Sequence, residues 1–193
     1  DYVKFLLFAQ WKIEQAGRGV VGMITNHGYL DNPTFRGMRQ SLMCTFDETY
    51  ILDLHGNSLK KETCPDGSPD KNVFDIRQGV AIAFFIKHGG ERKADTVVRH
   101  AELCGTREKK YDWLNAHDLK HTDWRELKPE SQFYFFVTRN EEHAGQYRTF
   151  TRIAEVFPVN VTGIVTARDR FVLDFERNVL LRRIGQFRDL NLT

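Results

Sequence analysis

Side chains able to hold a ligand gather at three places in this 193-residue sequence. Thr25-Asn-His-Gly-Tyr-Leu-Asp-Asn32 presents an amide, an imidazole and a phenol close together, at Asn26, His27 and Tyr29. Asp53-Leu-His-Gly-Asn57 presents a second imidazole and amide, His55 and Asn57, with Lys60 and Lys61 just beyond. From Pro129 onward there is no lysine but a series of arginines that includes Arg168 and Arg170. The first two groups could hydrogen-bond a planar polar ligand, and the third could track phosphates. Each also has a structural reading. Asn26 and Asn32 can satisfy turn and helix amides, and His55 can be a turn histidine beside a left-handed Gly56. The arginines can pair with Glu141, Glu142, Glu155, Asp174 and Glu176 on solvated faces.

Complete catalytic signatures do not occur. There is no GxGxxG, Walker, GxSxG, HExxH or EF-hand pattern. The cysteines Cys44, Cys64 and Cys104 are odd in number and widely spaced, without zinc-ligand spacing. They read as reduced cytosolic thiols, and neither a metal site nor a catalytic residue is expected.

The elements that must position these groups alternate along the chain. Tyr2–Gln15 carries two apolar stripes at helical spacing, which predicts a helix wetted on a narrow face only. The run 19–25 suits a strand covered on both faces. Asn32 and Pro33 start a helix marked by Phe35, Met38, Leu42 and Phe46. Thr49–Leu54 is a second strand, so the opening order is an α/β crossover unit. The polar stretch 55–72 is a long loop of the kind that is usually functional. The strand 79–87 and the strand 96–103 read as a hairpin. A helix is expected over 106–115, a strand over the aromatic run 132–138, and a helix over 146–157. Strands are expected at 163–166 and 170–173, and a final helix over 174–187. The hydrophobic fraction of 41% supports a packed core, and the net charge of +2 singles out no partner. No apolar run is long enough for a membrane span.

Three blocks then stand in order: Gly19-Val-Val-Gly-Met-Ile-Thr-Asn-His-Gly-Tyr-Leu-Asp-Asn32, Phe35-Arg-Gly-Met-Arg-Gln-Ser-Leu42 and Tyr50-Ile-Leu-Asp-Leu-His-Gly-Asn57. Val73-Phe-Asp-Ile-Arg-Gln-Gly-Val-Ala-Ile82 and Gly163-Ile-Val-Thr-Ala-Arg-Asp169 follow. Together they resemble the N6-adenine DNA methyltransferase region of large single-chain restriction–modification enzymes, the type ISP and type IIG kind. The specific part is 19–82. The resemblance implies an α/β fold: residues 1–123 as the C-terminal half of a Rossmann-like methyltransferase sheet. Residues 124–193 become an α+β link into a target recognition domain.

In that family a glycine motif for S-adenosylmethionine and an NPPY motif precede these blocks, and neither occurs here. The implied protein is a fragment that needs the upstream half of its polypeptide, with S-adenosylmethionine as cofactor and double-stranded DNA as partner, in the cytoplasm. Such enzymes flip an adenine and stack it on aromatic rings. The resemblance places the second ring at Phe85, or else Phe84, with Asn26, His27 and Tyr29 lining the same cleft. It makes His55, Asn57, Lys60, Lys61, Arg168 and Arg170 DNA contacts, and the loop 55–72 a segment that orders on binding. The strand edge at 19–25 is expected to take upstream protein, to dimerise or to swap. The competing readings are a stand-alone DNA-binding module on a degenerate methyltransferase scaffold, and an inert remnant.

Overall fold

The computed structural model describes residues 1–90, 96–140, 142–159 and 166–190, and it divides into two compact units at 140/141. The first unit carries α1 (Tyr2–Ala16), β1 (Gly19–Asn26), α2 (Arg36–Thr45), β2 (Glu48–Asp53), β3 (Val80–Lys87), β4 (Val97–Glu102), α3 (Arg107–Ala116) and β5 (Arg125–Leu127). Among the described residues the second carries the helices α4 (Ala144–Arg148), α5 (Ile153–Val156), α6 (Asp169–Val172) and α7 (Arg177–Arg188). The first unit includes β5, which pairs with β4, and Phe136, which is buried in its core.

The five strands form one mixed sheet in the order β1-β3-β2-β4-β5. Both β1 and β2 are antiparallel to β3, so they run parallel to each other with β3 reversed between them. The crossover expected from the sequence is therefore present, with a third strand inserted into it. The expected hairpin of β3 with β4 does not form. Both edges of β3 are already taken by β1 and β2, and β4 pairs in parallel on the free edge of β2, from Glu48↔Val97 to Asp53↔Glu102.

Strand alternation sorts the side chains onto two faces. Val21, Ile51, Ala81, Ala83, Phe85 and Val98 share one core with Leu6, Leu42 and Phe46 of the α1 and α2 side. Leu52, Val80, Ile82 and Ala101 face the other way and meet Trp113 and Leu114 of α3. Helix α1 ends at Gly17, whose φ of 73° is left-handed backbone that glycine adopts without a Cβ clash.

Two expectations about covering are corrected. One stripe of α1 is buried at Leu6, but Phe5, Leu7, Phe8 and Trp11 on the other sides stay exposed, since the helix has one sheet face to lie on. In β1, Val21 is buried, but Val20 and Ile24 are 60% and 51% exposed, because β1 is an edge strand with nothing over its second face among the described residues.

Further along, the aromatic run 132–138 is not a strand. Gln132 and Tyr134 have φ of 90° and 52°, which breaks an extended run. The run is instead a plug. The Phe136 N–H donates to the Leu30 carbonyl at 2.9 Å, and Arg39 holds the Phe133 carbonyl. Residues 170–173 lie mainly in α6 rather than a strand, and 146–157 forms two short helices rather than one. The strand expected at 163–166 lies almost wholly outside the described residues.

Arg39 is fully buried and faces carbonyls rather than an acid. Its guanidinium donates to Tyr29 O at 2.5 Å, to Asn32 O at 3.0 Å and twice to Phe133 O at 2.6 and 2.9 Å. It ties the turn after β1 to the plug, and burial pulls its pKa down. Arg39→Met keeps the volume and removes every donor. With a cost of about 1–3 kcal/mol for each buried carbonyl left bare, the variant is expected to lose at least ~3 kcal/mol in urea denaturation.

Candidate functional site

The carboxyl ends of β1 and β2 meet the amino end of β3 at one edge of the sheet, and the polar clusters converge there. The chain turns after β1 because the Asn26 side chain accepts the Gly28 N–H at 2.7 Å. The His27 N–H donates to Gly79 O at 3.0 Å, and its imidazole passes over Gly79. A Cβ at residue 79 would lie 2.4 Å from that ring. The ring thereby crosses the reversed strand and reaches β2, where Nδ1 donates to Asp53 Oδ1 at 2.9 Å.

The loop after β2 completes the arrangement. Asp53 Oδ1 also accepts the His55 N–H at 2.9 Å. The Asn57 amide nitrogen donates to His27 Nε2 at 3.2 Å, while its oxygen is fixed by the N–H groups of Leu59 and Lys60. That orientation makes Nε2 of His27 the acceptor and Nδ1 the protonated nitrogen. Glu62 accepts the Asn57 N–H at 2.9 Å. His55 adopts φ of 51°. Its Nδ1 lies 3.9 Å from both Asp53 and Glu62, and its Nε2 lies 4.0 Å from Glu102.

These residues line a cleft of about 190 Å³ together with Leu30, Asp31, Lys60 and Val137. Asp31, Asp53, Glu62 and Glu102 face a single lysine there, which pairs with Asp31 at 3.5 Å. Such a cleft attracts cations and amino groups and repels phosphate. Burial lifts the Asp53 carboxyl, yet the hydrogen bond from His27 and the charges of His55 and His27 leave it below the ordinary carboxylate range. Burial lowers His27, but the hydrogen bond and charge of Asp53, with the charge of Glu62, leave it above the ordinary imidazole value. Burial pulls His100 down against the lifting charges of Glu102 and Asp53. Tyr29 is fully buried, and burial raises its phenol well above the usual range.

The structure thus redistributes the expected site. His27, His55 and Lys60 line the cleft, while Asn57 is buried behind His27 and Asn26 serves the turn. Phe85, the expected stacking ring, is 0% exposed in the core with its ring 5.4 Å from Phe46, on the face that α1 and α2 cover. Phe84 points to the opposite face, beside Gly22 and opposite Tyr50, and does not line the cleft. Lys61, Arg168 and Arg170 are exposed.

The loop 55–72 is tied to α3. Lys110 and Asp70, both fully buried in side chain, pair at 2.7 Å. Asp70 also accepts the N–H groups of Gly56 and Gly105, and Lys110 donates to Leu54 O and Lys71 O. Sequence reading passed over Asp53, Glu62, Glu102, Asp70 and Lys110. Asp53 left one trace, an acid directly after the apolar pair Ile51-Leu52 in its strand.

No protein-family model and no curated protein matches the sequence. Solved structures do match. The chain is similar in fold to type ISP restriction–modification enzymes. The DrdV–DNA complex aligns with 96% of the chain at a TM-score of 0.68 and 23% identity. The ATP-dependent type ISP enzyme LlaBIII, bound to DNA, aligns with 75% at 0.62 and 26% identity. A nuclease-deletion mutant of the type ISP enzyme LlaGI, in complex with a DNA substrate mimic, aligns with 90% at 0.58 and 22% identity. The chain spans 19%, 10% and 17% of the lengths of these three proteins.

The crossing of His27 over Gly79 sets a measurable coupling. Gly79→Ala pushes a methyl into a ring pinned by Asp53 and Asn57, and should cost about 1–3 kcal/mol. In a His27→Ala background the same substitution should cost almost nothing, and a urea double-mutant cycle reads the difference.

Proposed function

We propose that this chain is part of an adenine-N6 DNA methyltransferase within a restriction–modification enzyme. In the complete enzyme a methyl group passes from S-adenosylmethionine to the exocyclic nitrogen of an adenine flipped out of duplex DNA. The observation that carries this reading is the fold likeness over 96% of the chain to DrdV and over 75% to LlaBIII. Two parallel strands joined through a helix, with a reversed strand inserted, also suit the late part of a methyltransferase sheet. The sequence blocks of 19–82 fall at its ligand edge, where open α/β sheets bind.

The residues described here do not fit S-adenosylmethionine by themselves. Two cavities among the described residues, of about 270 and 190 Å³, are each below the usual size of a cofactor pocket. We assign cofactor binding to the upstream half of the same polypeptide, working in the cytoplasm. That half is also our assignment for the cover over the exposed Phe5, Phe8 and Trp11 of α1 and the edge of β1, with dimerisation through that edge as the competing arrangement. The exposed Lys61, Arg168 and Arg170 are the proposed phosphate contacts.

Expression of the complete polypeptide in a host lacking adenine methylation tests the reading. Mass spectrometry of digested genomic DNA should find N6-methyladenine. DNA binding without any methyladenine would instead support a stand-alone DNA-binding module, and neither would support an inert remnant. Alanine at both Arg168 and Arg170 should weaken duplex binding and reduce the slope of log K against log salt by up to about 2, at roughly 0.9 per phosphate contact.

A further inference from the structure

We propose that His55, Asp53 and Glu62 hold a divalent transition-metal ion of the zinc class at the carboxyl edge of the sheet. This does not rest on the methyltransferase reading. The geometry centres on Nδ1 of His55, which lies 3.9 Å from Asp53 Oδ2 and 3.9 Å from Glu62 Oε2. Those separations are too long for hydrogen bonds. Two donors that far apart can each sit about 2.0–2.2 Å from one shared ion.

The rest of the cluster has the form of an outer shell. The other ring nitrogen of His55, Nε2, is buried without a hydrogen-bond partner among the described residues and faces Glu102 Oε1 at 4.0 Å. With Nδ1 on a metal, Nε2 must carry the proton, and Glu102 is the carboxylate placed to receive it. His27 lies in the same cluster, with its ligating atom within 4.8 Å of those of Asp53 and His55. Its Nδ1 donates to Asp53 Oδ1 and its Nε2 accepts from Asn57, so both nitrogens are occupied. His27 therefore positions Asp53: its nearer bond is to Oδ1 at 2.9 Å, and its longer 3.3 Å contact with Oδ2 would yield to the ion.

Charge and access agree with a cation. Asp31, Asp53, Glu62 and Glu102 line the cleft, with Lys60 as its only basic residue besides the two histidines among the described residues. An imidazole among carboxylates favours zinc over magnesium, which prefers oxygen and water. The loop 55–72 would thereby be fastened to the strand ends at a second point, opposite the Lys110–Asp70 pair.

A second group, Cys64, Asp70 and Cys104, also brings its ligand atoms within 4.8 Å. There Asp70 is already paired with the buried Lys110 ammonium and two backbone N–H groups. A cation would have to displace that ammonium, so the group serves as the control site.

The experiment strips the protein with a chelator and titrates zinc chloride by calorimetry. Cobalt(II) absorption then reports the ligand field. One zinc per chain is expected, with no magnesium binding at the same concentration. His55→Asn, which tolerates the left-handed backbone, and Glu62→Gln should each lower zinc affinity by about 100-fold, and His27→Gln by about 10–100-fold. The double variant Cys64→Ser, Cys104→Ser should bind as the parent does. Circular dichroism checks that each variant is folded, and Glu62→Gln decides the matter should His55→Asn fail to fold. Absence of stoichiometric zinc overturns the proposal. So does binding that survives loss of the His55 or Glu62 ligand, or that disappears with the thiols.

Discussion

One hydrogen bond spans three strands. His27, at the end of β1, reaches over the start of β3 to Asp53 at the end of β2. The bridge is possible because residue 79 has no side chain, and the imidazole occupies the space where a Cβ would stand. Burying a carboxylate is costly unless its lone pairs are met. Asp53 meets that condition through His27 and the His55 N–H, and its pKa falls despite burial. The bridge also fixes which imidazole nitrogen carries the proton, which in turn gives Asn57 its place. The turn after β1, the loop after β2 and the entry to β3 are thus one assembly.

Two buried cations perform the same service for the irregular segments around this edge. Arg39 ties the Tyr29–Asn32 turn to the 133–136 plug through carbonyls alone. Lys110 joins α3 to the far end of the loop through Asp70 and two carbonyls. Loops carry binding groups best when a rigid scaffold holds them. Here the scaffold includes charges placed inside the protein and hydrogen-bonded to backbone carbonyls, beside a small apolar core.

The molecule also leaves large apolar side chains in solvent. Phe5, Leu7, Phe8 and Trp11 on α1 and Val20 and Ile24 on β1 belong to the first unit, while Phe175 and Phe187 belong to the second. The chain spans a fifth or less of the proteins it is similar to in fold.

Local chemistry was legible in the amino-acid order. Apolar periodicity located α1, α2, α3 and α7 and the strands β1 to β4, and the side chains of Asn26 and Asn32 gave the turn and helix starts. These features depend on residues a few places apart, which a linear reading can compare. What needed tertiary structure was every choice among distant partners. The order of β3 and β4 around β2 was one such choice, because strand pairing is non-local and either edge would satisfy the same pattern. Alternation put Phe84 and Phe85 on opposite faces, but only packing of Phe46 showed that Phe85 is core. The site itself joins three stretches of chain, at His27, at Asp53, His55 and Glu62, and at Glu102. No spacing rule links the three stretches, since their proximity is produced by the sheet and not by the sequence interval.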